Sequence, residues 1–335
     1  MTFLCEREKE PLISKSSNVR KGGMKLVRYC LNRLWQTVIV LLGVTLITFI
    51  LMNVVPGNPV LMMLGQRADE ETVARVEHEL GMDQPLHVQY GRFLKGLVQL
   101  DLGRSYFRKV PVVDLVASRF LVTAKVALVT FVISMVLGVG IGIIAAINRG
   151  RALDRGLMAL AILGISAPSF WVALILQIIF GLMLGWLPIS GLDSWKSYIL
   201  PCFALGTRFA ATTARFTRTS MLDVIGQDYV RTARAKGLRE AVVILQHSFK
   251  NALIPVVTLS GMQLGGLLCG SILTESVFTI PGIGKLTVDS MMERDLPLLQ
   301  GCIIYIAIVV VLCNLLVDLS YALIDPRIRV TAKGV

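Results

Sequence analysis

The chain has 335 residues, of which 54% are hydrophobic and only 17% are charged, and its formal net charge is +12. A soluble domain is typically about a quarter charged. Here the charges are grouped in islands between long apolar runs, which indicates a polytopic helical membrane protein. A basic nucleic-acid-binding domain would not contain such runs, so we expect no nucleic-acid partner.

The six cysteines form no CxxC pair and have no metal-ligand spacing with any of the three histidines. Four of the cysteines lie inside apolar runs, where this residue behaves as a small hydrophobic side chain. We therefore expect neither a disulfide framework nor a metal site.

Six stretches are long and apolar enough to cross about 30 Å of hydrocarbon as helices. They are predicted near Leu34–Val55, Leu121–Ile147, Leu157–Leu184, Tyr198–Ala214, Leu253–Leu273 and Gly301–Leu323. The fourth stretch is the weakest, because Pro201 and Arg208 interrupt it. The predicted fold class is all-α, with six transmembrane helices, of which residues 26–55 form the first.

Lysine and arginine are concentrated in alternate loops, a pattern that marks the cytoplasmic side of a membrane protein. The basic segments are the leader, the loop between spans two and three, the loop between spans four and five, and the C-terminal tail. By contrast, the loop at 185–197 has one lysine, and the loop at 275–300 has one lysine and one arginine. The pattern predicts that both termini are cytoplasmic.

Residues 1–25 have no apolar core, so they are not a secretory signal, and we expect a disordered cytoplasmic leader. The stretch MKLVRYCLNRL, which begins at Met24, also has the character of a natural start, so Met1 and Met24 both stay open. Residues 56–120 are predicted to form an external helical segment, with an amphipathic helix that ends near Gly81. We expect this segment to cap the outer mouth of the membrane helices. Residues 121–329 then form a five-helix core, and residues 330–335 a cytoplasmic tail.

Small residues punctuate the predicted spans in three pairs with GxxxG spacing. The pairs are Gly138 and Gly142, Gly261 and Gly265, and Gly266 and Gly270. This spacing lets helices approach each other closely, so we interpret the glycines as packing residues and not as a solute site.

The stretch DYVRTARAKGL, residues 228–238, is a basic segment within the predicted cytoplasmic loop 215–250. Asp228 can cap a short helix, and Gly237 can end or turn it. Tyr229 and Ala233 lie four residues apart, which puts them on one face of that helix.

Arg231 and Arg234 share another face at a spacing of three residues. A short helix on the membrane surface, with small residues that allow close approach, suits insertion into a groove of another protein. The same positive charges could instead bind anionic lipid. The residues alone leave both interpretations open.

The stretch YVRTARAKGL, followed by NALIPVV, resembles the coupling-loop signature of permease subunits of ATP-binding-cassette (ABC) importers. Arg231, Thr232 and Ala233 stand where the family has a Glu-Ala-Ala pattern, a variation typical of the branch that carries peptides, nickel and glutathione. The resemblance implies that this loop docks into a cleft of the ATPase. The residues implied are Tyr229, Arg231, Ala233, Arg234, Ala235, Lys236, Gly237 and Leu238.

Five further stretches resemble the same dipeptide, oligopeptide and nickel branch. They are VPGNPV (55–60), LGMDQPLHVQYGRFLKGLVQLDLGRS (80–105), APSFWVALILQIIFGLMLGWLPISG (167–191), ESVFTIPGIGKLTVDSMMERDLPLLQG (275–301) and LVDLSYALIDPRIR (316–329). Their order and spacing extend the resemblance over nearly the whole chain, from about Leu26 to Arg329.

The resemblance implies a MetI-like permease fold in the bacterial inner membrane. The implied partners are a second, homologous permease, two ABC ATPases, an extracytoplasmic solute-binding protein and the lipid bilayer. ATP and magnesium would bind to the ATPases, so this chain would hold no cofactor and no catalytic residue. Accordingly, the sequence contains no GxxxxGK[ST] phosphate loop. The implied solute is a di- or oligopeptide, with nickel or a metal-chelator complex as the alternative.

Polar residues at membrane depth are candidates for a gate or a translocation path, because they are costly in lipid. Glu275 begins ESVFTIPGIG, in which Pro281 and Gly282 require a turn. In the family this region returns into the external vestibule, so we expect it to take part in gating. Asn314 and Asp318 lie four residues apart on one face of the last span; interhelical hydrogen bonding is their expected role, and contact with solute the alternative.

Two other classes of protein were weighed. An ion-coupled secondary transporter would have internally repeated halves with paired broken helices, and no clear repeat is visible. An intramembrane enzyme would need a nucleophile and a base at membrane depth. The candidate serines Ser166, Ser260 and Ser271 have no intramembrane histidine to pair with.

Overall fold

In the computed structural model, the chain folds as a bundle of helices, and the structure describes residues 14–54, 59–64 and 69–324. Within these ranges there is no β-strand, and the extended pairing is limited to an isolated bridge between Arg104 and Pro111. The all-α prediction is confirmed. The predicted tail at 330–335 lies outside the described residues.

The helices are numbered in chain order. They are α1 (Ser14–Val54), α2 (Pro59–Leu64), α3 (Glu70–Leu80), α4 (Leu86–Val98), α5 (Val112–Ile147), α6 (Ala152–Ser166), α7 (Ser169–Leu176), α8 (Ile199–Ile225), α9 (Asp228–Ala235), α10 (Glu240–Val242), α11 (Lys250–Leu268), α12 (Ile272–Val277), α13 (Ile283–Met292) and α14 (Leu296–Ile324). Two stretches are π-helical, Gln177–Met183 after α7 and Val243–Phe249 before α11. A 3₁₀ turn at Trp195–Tyr198 leads into α8.

Four spans in the described part are long and apolar enough to cross a membrane. They are Asn32–Asn53, Val112–Ile147, Glu240–Leu268 and Leu296–Val317. The pair α6 and α7 makes a fifth if the two are one bent span. α8 is long enough, but its arginines and hydroxyl side chains make it less apolar than the others. The prediction of six spans is therefore not confirmed.

The third predicted span, 157–184, is not one straight helix. α6 and the helix that begins at Ser169 differ in direction by 99°. Pro168 explains the break, because proline disfavours the helical conformation in the residue before it, and Ala167 is extended with ψ 125°. A break at this depth is tolerable where other helices or a water-filled cavity satisfy the backbone.

The fourth predicted span, by contrast, is unbroken. Pro201 lies in the first turn of α8, where a helical N–H has no intrahelical acceptor, so the missing donor costs nothing. The helix then continues through Arg208 to Ile225. The predicted interruption at these two residues is wrong.

α8 lies at the centre of the bundle and packs lengthwise along α5. Gly138 and Gly142 of α5 face it: a Cβ at Gly138 would come within 2.6 Å of Thr213, and one at Gly142 within 2.6 Å of Thr217. These separations are too short for any side chain, so this GxxxG pair permits the close approach of the two helices, as predicted.

The glycines of α11 divide into two groups. A Cβ at Gly261 or Gly265 would come within 2.6 or 2.7 Å of side chains of α14, so this pair is also a packing contact. Gly266 faces open space, and Gly270 has φ +85° in the turn that follows the helix. The prediction of packing is therefore correct for two of the three pairs.

The N-terminal boundary differs from the sequence-based expectation. α1 begins at Ser14, so residues 14–25 of the predicted leader are helical and not disordered. Extending an existing helix costs far less free energy than nucleating a new one. The helix formed by the apolar part of α1 can therefore extend towards the N-terminus through this polar stretch. Residues 1–13 lie outside the described residues.

The segment predicted to be external is held to the helical bundle at its C-terminal end. Asp295, fully buried before α14, accepts hydrogen bonds from the Ser105 hydroxyl and from the backbone N–H of Tyr106 at 3.1 Å. Arg108 forms a bidentate pair with Glu293 at 2.8 and 3.2 Å. These contacts place the loop before α5 against the start of α14.

The helices of the external segment follow the sequence signals. The Asp69 carboxylate caps α3 by accepting the N–H of Thr72 at 3.0 Å, and Gly81 ends the helix with φ +68°. The predicted end near Gly81 is therefore confirmed. α5, however, begins at Val112 and not at Leu121, so the last residues of the predicted external segment belong to the long helix.

Candidate functional site

The basic stretch 228–238 folds as α9 followed by a tight turn. Gly237 has φ +75°, a conformation that favours glycine, and its N–H donates to the carbonyl of Arg234 at 2.9 Å. The prediction that Gly237 ends the helix is confirmed. Asp228 is not the cap: Gln227 is the extended cap residue, and Asp228 lies in the first turn, where a negative charge still favours the helix.

The inner face of α9 packs against the chain itself. Val230 is fully buried and Ala233 is 5% exposed, and both pack against Val243 of the following π-helix. Tyr229 and Ala233 lie on one side of α9, as their spacing of four predicts, but Ala233 is buried and Tyr229 is exposed. The buried residues Val230 and Ala233, three positions apart, therefore define the side of α9 that packs against the rest of the chain.

Two polar contacts fasten α9 to the helices that follow it. The Tyr229 hydroxyl accepts a hydrogen bond from Asn251 Nδ2 at 2.8 Å. Arg234 donates to both carboxylate oxygens of Glu240, with Nη2–Oε1 at 2.8 Å and Nε–Oε2 at 3.2 Å. The hydrogen bonds to Glu240 raise the pKa of Arg234, which keeps the guanidinium charged. Because α9 is held at both ends, we expect it to move with α11.

The outer face of α9 and its turn is exposed, and residues 234–241 are exposed without interruption. Arg231 makes a 3.8 Å contact with Asp228, but both side chains are open to solvent. Of the residues predicted to contact an ATPase, the exposed ones are Tyr229, Arg231, Arg234, Ala235, Lys236, Gly237 and Leu238. All of them except Ala233 are therefore exposed, and we call this set of exposed residues the α9 surface.

The predicted gate residues before α13 form a closed turn around a carboxylate. Glu275 is 2% exposed and accepts hydrogen bonds from Thr123 Oγ1 at 3.0 Å and from the N–H of Lys285 at 3.1 Å. A Cβ at Gly282 would lie 2.5 Å from Glu275 Oε2, so only glycine fits there. The Pro281 carbonyl accepts from Arg119 Nη1 at 3.3 Å. Glu275 thus anchors this turn to α5.

The other predicted pair lies on α14. Asn314 is exposed, and the side chain of Asp318 lies outside the described residues. Asn314, Glu275, Pro281 and Gly282 are not among the described residues that line the cleft described next.

A cleft of about 460 Å³ opens between α8 and α11. Its polar lining includes Arg208, Thr212, Gln263, Ser169 and Ser271. Sequence reasoning missed this site: it had treated Arg208 only as an interruption of a span. The signal available was the cost of a charged side chain at membrane depth, which should have marked Arg208 for a role. Gln263 carried no comparable signal.

Comparison with known proteins agrees with this architecture. The family described as "Binding-protein-dependent transport system inner membrane component" matches residues 138–330, and its N-terminal companion model matches residues 26–127. The glutathione transport system permease protein GsiC of Salmonella paratyphi A is 45% identical over 304 residues, which cover 91% of this chain and 99% of that protein. The protein of the same name in Escherichia coli K12 is 43% identical over the same shares.

A solved structure shows the same fold at lower identity. The MetNI methionine ABC transporter, in inward-facing conformations, matches with a TM-score of 0.55 and 18% identity, covering 63% of this chain and 97% of that one. The helical fold and the family matches together define a membrane permease subunit of the ABC-importer class. The chain belongs to the family of binding-protein-dependent transport system inner-membrane components.

Proposed function

We propose that this chain imports a peptide-like solute, of the glutathione or di- to oligopeptide class, as one of two permease subunits. Two ABC ATPases would drive the transport and bind ATP and magnesium, and an extracytoplasmic binding protein would deliver the solute. The relatives that are 43–45% identical are named as glutathione permeases, which supports a peptide-like cargo. Nickel is the weaker candidate, because no Asp, Glu, His or Cys occurs among the described residues that line the cleft.

The observation that carries the mechanism is the way α9 is fastened. The buried residues Val230 and Ala233, the Tyr229–Asn251 hydrogen bond and the Arg234–Glu240 pair hold it against the helices that lead into α11. A helix held at several points transmits a displacement, whereas a mobile loop would absorb it. We propose that the α9 surface docks on an ATPase, so that closure of the ATPases moves α11 relative to its neighbours.

The charge distribution supports the orientation that this mechanism needs. Basic residues are concentrated in the loops on the α9 side, which favours a cytoplasmic position for α9 and for both termini in the inner membrane. The turn at Pro281 and Gly282 would then lie towards the outside. We propose that it gates the outer mouth as a rigid unit held by Glu275.

Co-purification of the importer tests the docking role. Reversing two exposed charges, Arg231→Glu with Lys236→Glu, should weaken the association with the ATPases and abolish uptake, because neither side chain supports the fold of α9. Arg151→Glu, an exposed charge reversal in the loop before α6, is the matched control and should leave the complex intact. Full recovery of the ATPases with the double variant would refute the docking role.

A binding measurement on the partner receptor tests the cargo. The solute-binding protein that co-purifies with this importer is titrated by calorimetry with glutathione, dipeptides, longer peptides and nickel complexes. We expect tight binding of a peptide-like solute. Binding of a nickel complex alone would replace the proposed cargo with a metal chelate.

A further inference from the structure

The cleft between α8 and α11 lies where two other helices break. Ser169 is the first residue of α7, immediately after the bend at Pro168, and Ser271 lies in the turn between α11 and α12. Broken backbone at membrane depth is tolerated where it is buried in protein or lines a water-filled cavity. The position of this cleft therefore favours a site that is enclosed by protein or filled with water over a lipid-facing groove.

Gln263 supplies the first specific feature of the cleft. Its side chain is 7% exposed, and its Oε1 accepts a hydrogen bond from Thr213 Oγ1 at 3.1 Å, which fixes the orientation of the amide. Gln263 is among the residues that line the cleft, and its buried Nε2 has no hydrogen-bond partner among the described residues. A buried donor without an acceptor is costly, so such a group in a transporter cavity indicates a missing acceptor.

Arg208 supplies the second feature. It lies nine residues after the start of α8 at Ile199, which at 1.5 Å per residue is about 14 Å into the helix. The side chain is exposed in the cleft, and no carboxylate lies among the described residues that line it. A charged residue at such a depth faces water, a partner or a transported solute. The guanidinium is also the side chain best suited to bind a carboxylate in two-point geometry.

We propose that Arg208 and Gln263 form a carboxylate-binding site on the translocation path. The site would hold a free carboxylate of the solute by a charge-assisted pair with Arg208 and by donation from Gln263 Nε2, while apolar residues such as Leu259 and Met262 contact the rest of the molecule. This inference rests on the proposed function and narrows it to solutes that carry a negative charge. It disfavours a bare divalent cation, which the Arg208 charge would repel.

A labelling experiment tests the site without requiring transport. The assembled importer, with its native cysteines replaced and with Met262→Cys as the reporter, is placed in lipid nanodiscs. Its labelling rate is measured with methanethiosulfonate reagents that carry a sulfonate or a trimethylammonium group. The measured quantity is the ratio of the labelling rate with the sulfonate reagent to that with the trimethylammonium reagent. We expect this ratio to be about ten-fold higher with Arg208 present than in Arg208→Met, because the fixed positive charge concentrates anions in the cleft.

The same reporter measures solute binding. S-methylglutathione and trialanine should slow the labelling, and trialanine amide, which lacks the free carboxylate, should slow it much less. Arg208→Met and Gln263→Leu should each remove this protection, and Arg208→Lys should keep part of it. Lys125→Gln, which changes an exposed cation of α5 outside the cleft, should leave the protection unchanged. The proposal would be overturned if trialanine and its amide protected equally, or if protection survived in Arg208→Met. It would also be overturned if no solute slowed the labelling, and Arg208 would then be assigned to an ion pair with the second permease.

Uptake into vesicles separates this proposal from the proposed function. With ATP and a saturated receptor, Arg208→Met should lower the maximal rate of glutathione uptake about ten-fold or more, the usual loss for one hydrogen-bonded charge. The stimulation of ATP hydrolysis by the loaded receptor should persist, which shows that the complex is folded and coupled. Full-rate uptake by Arg208→Met would refute the site and leave the proposed function standing. If the wild-type importer transported no peptide-like solute while the charge-dependent labelling persisted, the proposed function would be refuted, but Arg208 would still define an anion-binding site.

Discussion

The Glu275 carboxylate should be a main support of the turn that precedes α13, and Glu275→Gln measures this with almost no change of shape. The native carboxylate accepts from the Thr123 hydroxyl at one oxygen and from the Lys285 N–H at the other. A glutamine keeps one acceptor but presents an NH₂ group to the second donor. Two donors then face each other in a site that is 2% exposed.

The magnitude follows from these contacts. One hydrogen bond to a charged group is lost and a buried donor is left unsatisfied, so we expect a destabilisation of about 2–3 kcal/mol. For a chain of 335 residues this should lower the apparent Tm by roughly 3–4 °C. Asp289→Asn is the control: Asp289 contacts Lys285 Nζ at 3.3 Å, but the side chains are 36% and 30% exposed, so its loss should cost about 0–1 kcal/mol.

The assay is thermal unfolding of the importer, combined with uptake per folded complex. A fall in Tm with unchanged uptake per folded complex would mean that Glu275 only anchors the turn. A fall in both would support the gate. An unchanged Tm in Glu275→Gln would refute the reasoning from the hydrogen bonds, because no other described group replaces the lost acceptor.

Two further substitutions test other parts of the account. Gly237→Val should destabilise the protein by about 1–2 kcal/mol and should reduce uptake. The cost comes from the left-handed backbone alone, because no atom lies within 4 Å of a Cβ at this position. Gly237→Asn should retain most of the uptake, because asparagine tolerates this conformation. Asp154→Asn should destabilise the importer by about 2–3 kcal/mol in thermal unfolding, since the buried Asp154 carboxylate pairs with Arg218 at 2.6 and 2.8 Å; a double-mutant cycle with Arg218→Met should show coupling, and additive effects would contradict the pair.

Local signals in the sequence predicted much of this architecture. Gly81 and Gly237 end helices where glycine was expected to do so, and the pair Gly138 and Gly142 lies at a helix contact, because these effects depend on a few neighbouring residues. Long apolar runs likewise predicted that α5 and α14 are spans, although α5 begins nine residues before its predicted start.

Other features depend on tertiary structure and could not be predicted. Pro168 explains why α6 ends, but no local signal specifies the 99° angle between α6 and α7, and Pro201 is harmless only because α8 begins two residues before it. Ala233 is buried while its neighbour Tyr229 is exposed, because Val230 and Ala233 pack against Val243, a contact between segments that no helical spacing specifies. The cleft joins residues from α7, α8 and α11, so Gln263 had no local signal at all.

Cross-linking from α9 tests the central claim most directly. Ala235→Cys places a thiol on the exposed outer face of α9, and Ala233→Cys places one on the buried inner face of the same helix. A short bismaleimide should join the first variant to an ATPase subunit, and should join the second far less. Equal yields from the two positions, or no ATPase cross-link from Ala235→Cys in an importer that still hydrolyses ATP and transports, would contradict docking through the α9 surface.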